Sequence, residues 1–149
     1  MRKTETAELT VLCMIYKDNK VLVQNRIRED WKGYTLPGGH VEENESFVEA
    51  VIREMKEETG LTVFRPRLCG VKQFPIEHGR YIVFLFKTNE FTGKLRGSEE
   101  GTVEWVDRDK LALYDTVDDF EELLQVMESD DLTEFQYMVR DGQWDVRIR

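Results

Sequence analysis

The chain has 149 residues, 40% of them hydrophobic and 34% charged, with a formal net charge of -9. That length suits one domain with its own core, expected over residues 1–149, and the acidity argues against binding long nucleic acids, which needs a basic surface. No run approaches the roughly 18 apolar residues of a membrane span, and the first ten residues, MRKTETAELT, hold no signal-like stretch, so no membrane partner and a cytoplasmic location are expected.

Leu9 to Tyr16 is apolar and β-prone, and Val21 to Gln24 follows after the turn KDNK, a hairpin pattern. NRIREDWKGY reads as a polar connection, and Thr35-Leu36 as a short extended piece ended by Pro37, with Gly38 and Gly39 turning the chain. Ser46 to Thr59 has helical periodicity, with Gly60 at the capping position. Leu61 to Phe64, Leu68 to Phe74, Tyr81 to Thr88 and Thr102 to Val106 read as strands, and FTGKLRGSEEG as a loop. Asp107 to Leu113 suggests a short helix, Asp118 to Ser129 a longer one, and EFQYMV-RDGQ-WDVRIR a closing hairpin turning at Asp141-Gly142. Cys13 and Cys69 lie in apolar-rich segments and read as free thiols. This order of elements suggests one α/β or α+β domain.

The helix from Ser46 carries the chemistry. On a wheel, Phe47, Val48, Val51, Ile52 and Met55 form the expected core face. Glu54, Glu57 and Glu58 stand at i, i+3 and i+4 and abut that face. A solvated acidic face would explain charges, but like charges at this spacing repel, and the helix dipole opposes them in the C-terminal half. A divalent cation removes the conflict, because three carboxylates are hard oxygen ligands for Mg²⁺, with Mn²⁺ a substitute. Arg53 is placed to hold the carboxylates in register. Glu45 can tie the Gly38-Gly39 loop to the helix, and Gly38 and Gly39 let backbone approach a ligand.

GHVEENESFVEAVIREMKEETGL resembles the Nudix box position for position: Gly39, five residues, Glu45, seven residues, then Arg53, Glu54, Met55, Glu57, Glu58, Gly60 and Leu61. The resemblance implies the Nudix fold, an α/β/α sandwich with a mixed sheet. It implies Mg²⁺-dependent hydrolysis of a nucleoside diphosphate linked to another group. It also implies metal ligation by Glu54, Glu57, Glu58 and the Gly38 carbonyl, with a further acid from a distant loop, here Glu99 or Glu100. The catalytic set so implied is Arg53, Glu54, Glu57 and Glu58, acting on a nucleotide partner in a monomer or homodimer. A binding or regulatory domain of the same fold would be expected to lose box carboxylates, and this chain keeps all of them.

Beyond the box, VLVQNRIREDWKGYTLPGG lacks the longer motif of coenzyme A hydrolases. Pro75 lies near the proline position of ADP-ribose hydrolases, and Tyr81 near that of the diadenosine type. DTVDDFEELLQ and the closing EFQYMVRDGQWDVRIR resemble the MutT-like hydrolases of 8-oxo-dGTP, which implies that Asp118 and Asp119 face a purine, with Gly39 and Arg26 also toward the substrate. Asp is equally a favoured helix-start residue. The tryptophan that stacks on the base in those enzymes is replaced by Thr116-Val117, leaving Trp31 or Phe74 for that role. Oxidised purine triphosphates are therefore the expected substrates, and ADP-ribose, a nucleotide sugar or an RNA 5′ end the alternatives.

Overall fold

Thr6–Lys17 (β1) points successive side chains to opposite faces, Val11, Cys13 and Ile15 into one buried cluster and Leu12 and Met14 into the other. The computed structural model describes residues 2–28 and 31–149, and only the backbone of residues 28 and 31. Asp18, with φ 55°, turns the chain from β1 into Lys20–Arg28 (β2). The two strands pair only at Tyr16–Val21 and Lys17–Lys20, then diverge.

Beyond β2 come Trp31–Thr35 (β3), Gly38–His40 (β4), Phe47–Thr59 (α1), Leu61–Val63 (β5), Arg67–Ile76 (β6) and Gly79–Thr88 (β7). Phe91–Gly93 (β8), Gly101–Asp107 (β9), a 3-10 turn at Arg108–Leu113, Phe120–Glu128 (α2), Glu134–Arg140 (β10) and Gln143–Ile148 (β11) complete the chain. One sheet runs β4-β1-β7-β6-β10-β11, with β1–β7 and β6–β10 parallel and its other pairs antiparallel. The second runs β9-β2-β3 and is antiparallel. Helix α1 packs with Val11, Cys13, Ile15 and Phe86, and α2 with Met14, Val83, Leu85 and Phe135 on the opposite face. The expected layering of helices on both faces of a mixed sheet is therefore present. Cys13 and Cys69 are free thiols. No described helix is long and apolar enough to cross a membrane.

Four local expectations are corrected. The stretch read as a polar connection is the β2–β3 hairpin, in register Gln24–Thr35 through Ile27–Lys32; an antiparallel pair can face water, so its charges do not forbid a strand. Gly38 and Gly39 do not turn the chain. Neither has positive φ, and both lie in β4, opposite Leu12 and Val11. Within the expected loop, Phe91–Gly93 pairs with Leu61–Val63. On α1, Phe47 and Val48 are 38% and 43% exposed, whereas Ala50, Val51 and Met55 are fully buried together with Glu54 and Glu58 at 8%. The helix is rolled so that its glutamate side, rather than its first apolar turn, faces β4 and β2.

Candidate active site

Helix α1 begins where Ser46 Oγ accepts from Glu49 N at 2.9 Å and ends where Gly60, with φ 80°, donates its N–H to Lys56 O. These caps fix where the helix starts and stops. A Cβ built on Gly38 would lie 2.1 Å from Val11 O, and one on Gly39 would lie 2.5 Å from all three atoms of the Glu54 carboxylate. The two glycines are thus required by close approach, the first to β1 and the second to Glu54.

Arg53 is the hub of the cluster. Its Nε and Nη2 donate to the two Glu45 oxygens at 2.7 and 2.9 Å, and Nη2 also to His40 O at 2.9 Å. Its Nη1 donates to Glu54 Oε1 at 2.9 Å and Glu57 Oε2 at 3.2 Å. One guanidinium therefore locks the helix to the segment before it and orients two carboxylates. These bonds hold the Glu45 pKa down to about 2. Burial raises that of Glu54, with Arg53 opposing and Glu57 and Glu58 adding to the rise. Glu54 thus sits in an excess of negative charge that one arginine does not fully offset.

Glu58 Oε2 accepts from Gln24 Nε2 at 2.8 Å and Ser98 Oγ at 2.7 Å. Glu57 is the exposed member of the three, its side chain 55% accessible. Glu100 joins the wall of the same cavity, 3.4 Å from Arg26 Nη2, and Glu99 does not line it. Among the described residues, no three of these or other His, Cys, Asp or Glu side chains already stand close enough to grip a metal. Glu54 and Glu57 instead share Arg53 Nη1, and Glu58 accepts from Gln24 and Ser98. The donor set itself, carboxylate oxygens around a glycine-lined recess, fits a hard divalent cation.

The cavity holds about 1100 Å³ and extends from this cluster to the start of α2. Asp115–Val117 is fastened to β3 by Tyr34 N to Asp115 O at 2.9 Å and Val117 N to Tyr34 O at 3.0 Å. That anchorage presents Asp118 and Asp119 to the cavity. Asp119 does not cap the helix. Its backbone is left-handed, with φ 59°, and its carboxylate makes no cap bond but accepts from Tyr137 Oη at 2.7 Å. The helix-start explanation of this aspartate therefore lacks its hydrogen bond.

Thr116 and Val117 line the cavity without supplying a ring. Phe74 lines it, but is stacked on Tyr81 with ring centroids 4.8 Å apart. The Trp31 side chain, the other stacking candidate, lies outside the described residues. Sequence reasoning missed Lys72, Tyr137 and Trp144, which complete this wall. Trp144 stands edge-on to Phe74 and Tyr137, at 5.9 and 5.5 Å. The available signal was alternation, since Lys72 and Phe74 share one face of β6, as Phe135 and Tyr137 share one of β10. The parallel docking of β10 on β6, at Glu134–Val71 through Gln136–Gln73, brings the two faces together.

Comparison with known proteins agrees with this geometry. The family model described as the NUDIX domain matches residues 6–127. An uncharacterized Nudix hydrolase of Bacillus subtilis, YvcI, is 40% identical over 101 residues, 64% of this chain and 63% of its own length. An ADP-ribose pyrophosphatase of Methanocaldococcus jannaschii is 40% identical over 90 residues, 58% of this chain and 53% of its own length. The chain thus spans between half and two thirds of these curated relatives. The crystal structure of a mutator MutT protein from Bacillus halodurans superposes with a TM-score of 0.77 at 30% identity, covering 95% of this chain and 97% of the other.

Proposed function

The chain belongs to the Nudix family, and from that premise we propose that it hydrolyses nucleoside triphosphates to monophosphate and pyrophosphate, with oxidised purine nucleotides such as 8-oxo-dGTP as substrates. The observation that carries this reading is the single cavity with Glu54, Glu57, Glu58 and Glu100 at one end and Asp118, Asp119 and an aromatic wall at the other. A triphosphate reaches the carboxylates while its base lies among the rings.

Nudix hydrolases generally use divalent metal ions. Here Glu54, Glu57, Glu58 and Glu100, with the Gly38 carbonyl, would hold Mg²⁺ or Mn²⁺. Such an ion offsets phosphate charge and lowers the pKa of water. The residues do the remainder. Arg53 holds Glu54 and Glu57 beside each other by hydrogen bonds to both. Gln24 and Ser98 fix Glu58. One of these carboxylates accepts the proton of the attacking water. Arg26, on the same wall, faces the phosphates.

At the base end, the free lone pairs of the Asp119 carboxylate accept ring N–H groups. Losing one such partner costs about 1–3 kcal/mol. Asp118→Asn and Asp119→Asn should therefore change kcat/KM for 8-oxo-dGTP relative to dGTP by roughly tenfold to a hundredfold. Equal ratios in wild type and both variants would remove these aspartates from base reading. A second reading, hydrolysis of ADP-ribose, is favoured by the name of the Methanocaldococcus jannaschii relative. A wild type that prefers ADP-ribose over both triphosphates would replace the first reading with the second.

A further inference from the structure

Lys72 projects from β6 into the base end of the cavity, where its ammonium is surrounded by rings. Nζ lies 5.2 Å from the Phe135 ring centroid, 5.3 Å from Tyr137 and 5.8 Å from Phe74. Among the described residues no oxygen accepts a hydrogen bond from Nζ, and no carboxylate pairs with it within 4.0 Å. The opposite charge that acts on it is that of Asp119, whose Oδ2 accepts from Tyr137 Oη on the same wall. The wall therefore presents a charged donor and a charged acceptor that are close neighbours without joining.

Stem burial against aromatic surface would account for the aliphatic part of this lysine. It does not account for the ammonium, which rests at cation–π distance from three ring faces that offer its N–H groups no oxygen acceptor. A ligand with an acceptor there would complete it.

We infer that Lys72 is a specificity-determining residue that donates to an exocyclic carbonyl of the substrate base while Asp119 accepts from the adjacent ring N–H, so that the cavity selects keto bases over amino bases. This rests on reading the cavity as the nucleobase site. A lactam edge supplies the needed pair directly: a carbonyl oxygen with two lone pairs beside a ring N–H. Guanine has one such edge and 8-oxoguanine a second. An amino base such as adenine fits only in the reverse placement, with its exocyclic N–H on Asp119 and a single-lone-pair ring nitrogen on the ammonium. Donation from a charged group to the carbonyl is the stronger of the two arrangements. The cation also offsets the charge that Asp118 and Asp119 bring to the base.

The test measures equilibrium binding of 8-oxo-dGMP, dGMP and dAMP to wild type, Lys72→Met and Lys72→Arg, by calorimetry without turnover. Wild type should bind both keto nucleotides at least about tenfold more tightly than dAMP. Lys72→Met should lose tenfold to a hundredfold on the keto pair and little on dAMP. Lys72→Arg, which keeps the charged donor, should recover part of the preference. Melting curves of each variant establish that it is folded. An unchanged keto-to-amino ratio in folded Lys72→Met, or a wild type that prefers dAMP or binds none of the three, overturns the inference. Turnover of the triphosphates is measured separately. Hydrolysis with no effect of Lys72 on selectivity sinks this inference alone, and keto selectivity without hydrolysis sinks the proposed reaction alone.

Discussion

Gly38 and Gly39 are adjacent in one strand, yet alanine at the two positions should do different things. At Gly39 a methyl group would meet the Glu54 carboxylate at 2.5 Å. Ordinary contact needs about 3.5 Å, so the carboxylate must move by about 1 Å. Its end is flexible, and the Gly39 backbone does not occupy the left-handed region, so the fold should lose only ~1 kcal/mol, a Tm drop of about 3 °C. Glu54 would, however, leave the position set by Arg53 at 2.9 Å. A displacement of that size in a catalytic constellation costs on the order of a hundredfold in rate. At Gly38 the methyl would instead meet Val11 O at 2.1 Å and the Leu12 side chain at 2.7 Å. Backbone cannot yield so cheaply, so Gly38→Ala should part β4 from β1 and lower stability by at least about 3 kcal/mol. The assay is kcat with saturating substrate and Mg²⁺, paired with a melting curve. A folded Gly39→Ala protein whose kcat stays within about threefold of wild type would refute the reasoning, because the position of Glu54 would then not matter to the chemistry.

Glu57→Gln and Glu58→Gln should each lower kcat by at least about a hundredfold while shifting Tm by no more than about 3 °C; a near-wild-type rate at saturating Mg²⁺ would remove that residue from the catalytic set. The stability of Lys72→Met should depend on pH relative to wild type. Burial brings the Lys72 pKa down from 10.5 to about 8, so its charge opposes folding fully below pH 8 and ceases to do so above 10.5. Lys72→Met should therefore gain most over wild type at pH 7, with the gain shrinking between pH 8 and 10.5 in denaturant titrations. A difference that does not change with pH would mean that the ammonium is not desolvated in the fold.

The glutamate cluster was legible because its chemistry is local. Three carboxylates within about one helical turn, with Arg53 beside them, share one side of the helix whatever the rest of the chain does. The roll of α1 was not legible, because the wheel gives relative positions on a helix and not which side the sheet covers. Phe47 and Val48 therefore read as core, although β4 and β2 cover the Glu54 and Glu58 side. Gly38-Gly39 read as a turn because glycine has two structural uses, and only the proximity of Val11 and Glu54 reveals close approach as the one employed. That Glu100, and not Glu99, lines the cavity depends on a loop that Ser98 fastens to Glu58 across 40 residues of chain. The hairpin of β10 and β11 was visible in its alternation and its Asp-Gly turn. Its parallel docking on β6 is a long-range event with no local mark, and so Lys72, Tyr137 and Trp144 gave no sign of sharing a wall.

The most direct test of the account is product analysis by phosphorus NMR of wild-type protein with 8-oxo-dGTP, dGTP and ADP-ribose, first with Mg²⁺ and then with excess EDTA. With Mg²⁺, 8-oxo-dGTP should disappear fastest and yield monophosphate and pyrophosphate, and chelation should stop the reaction until Mg²⁺ or Mn²⁺ is returned. Release of orthophosphate from the triphosphate, undiminished turnover in EDTA, or no turnover of any of the three compounds with either ion would contradict it.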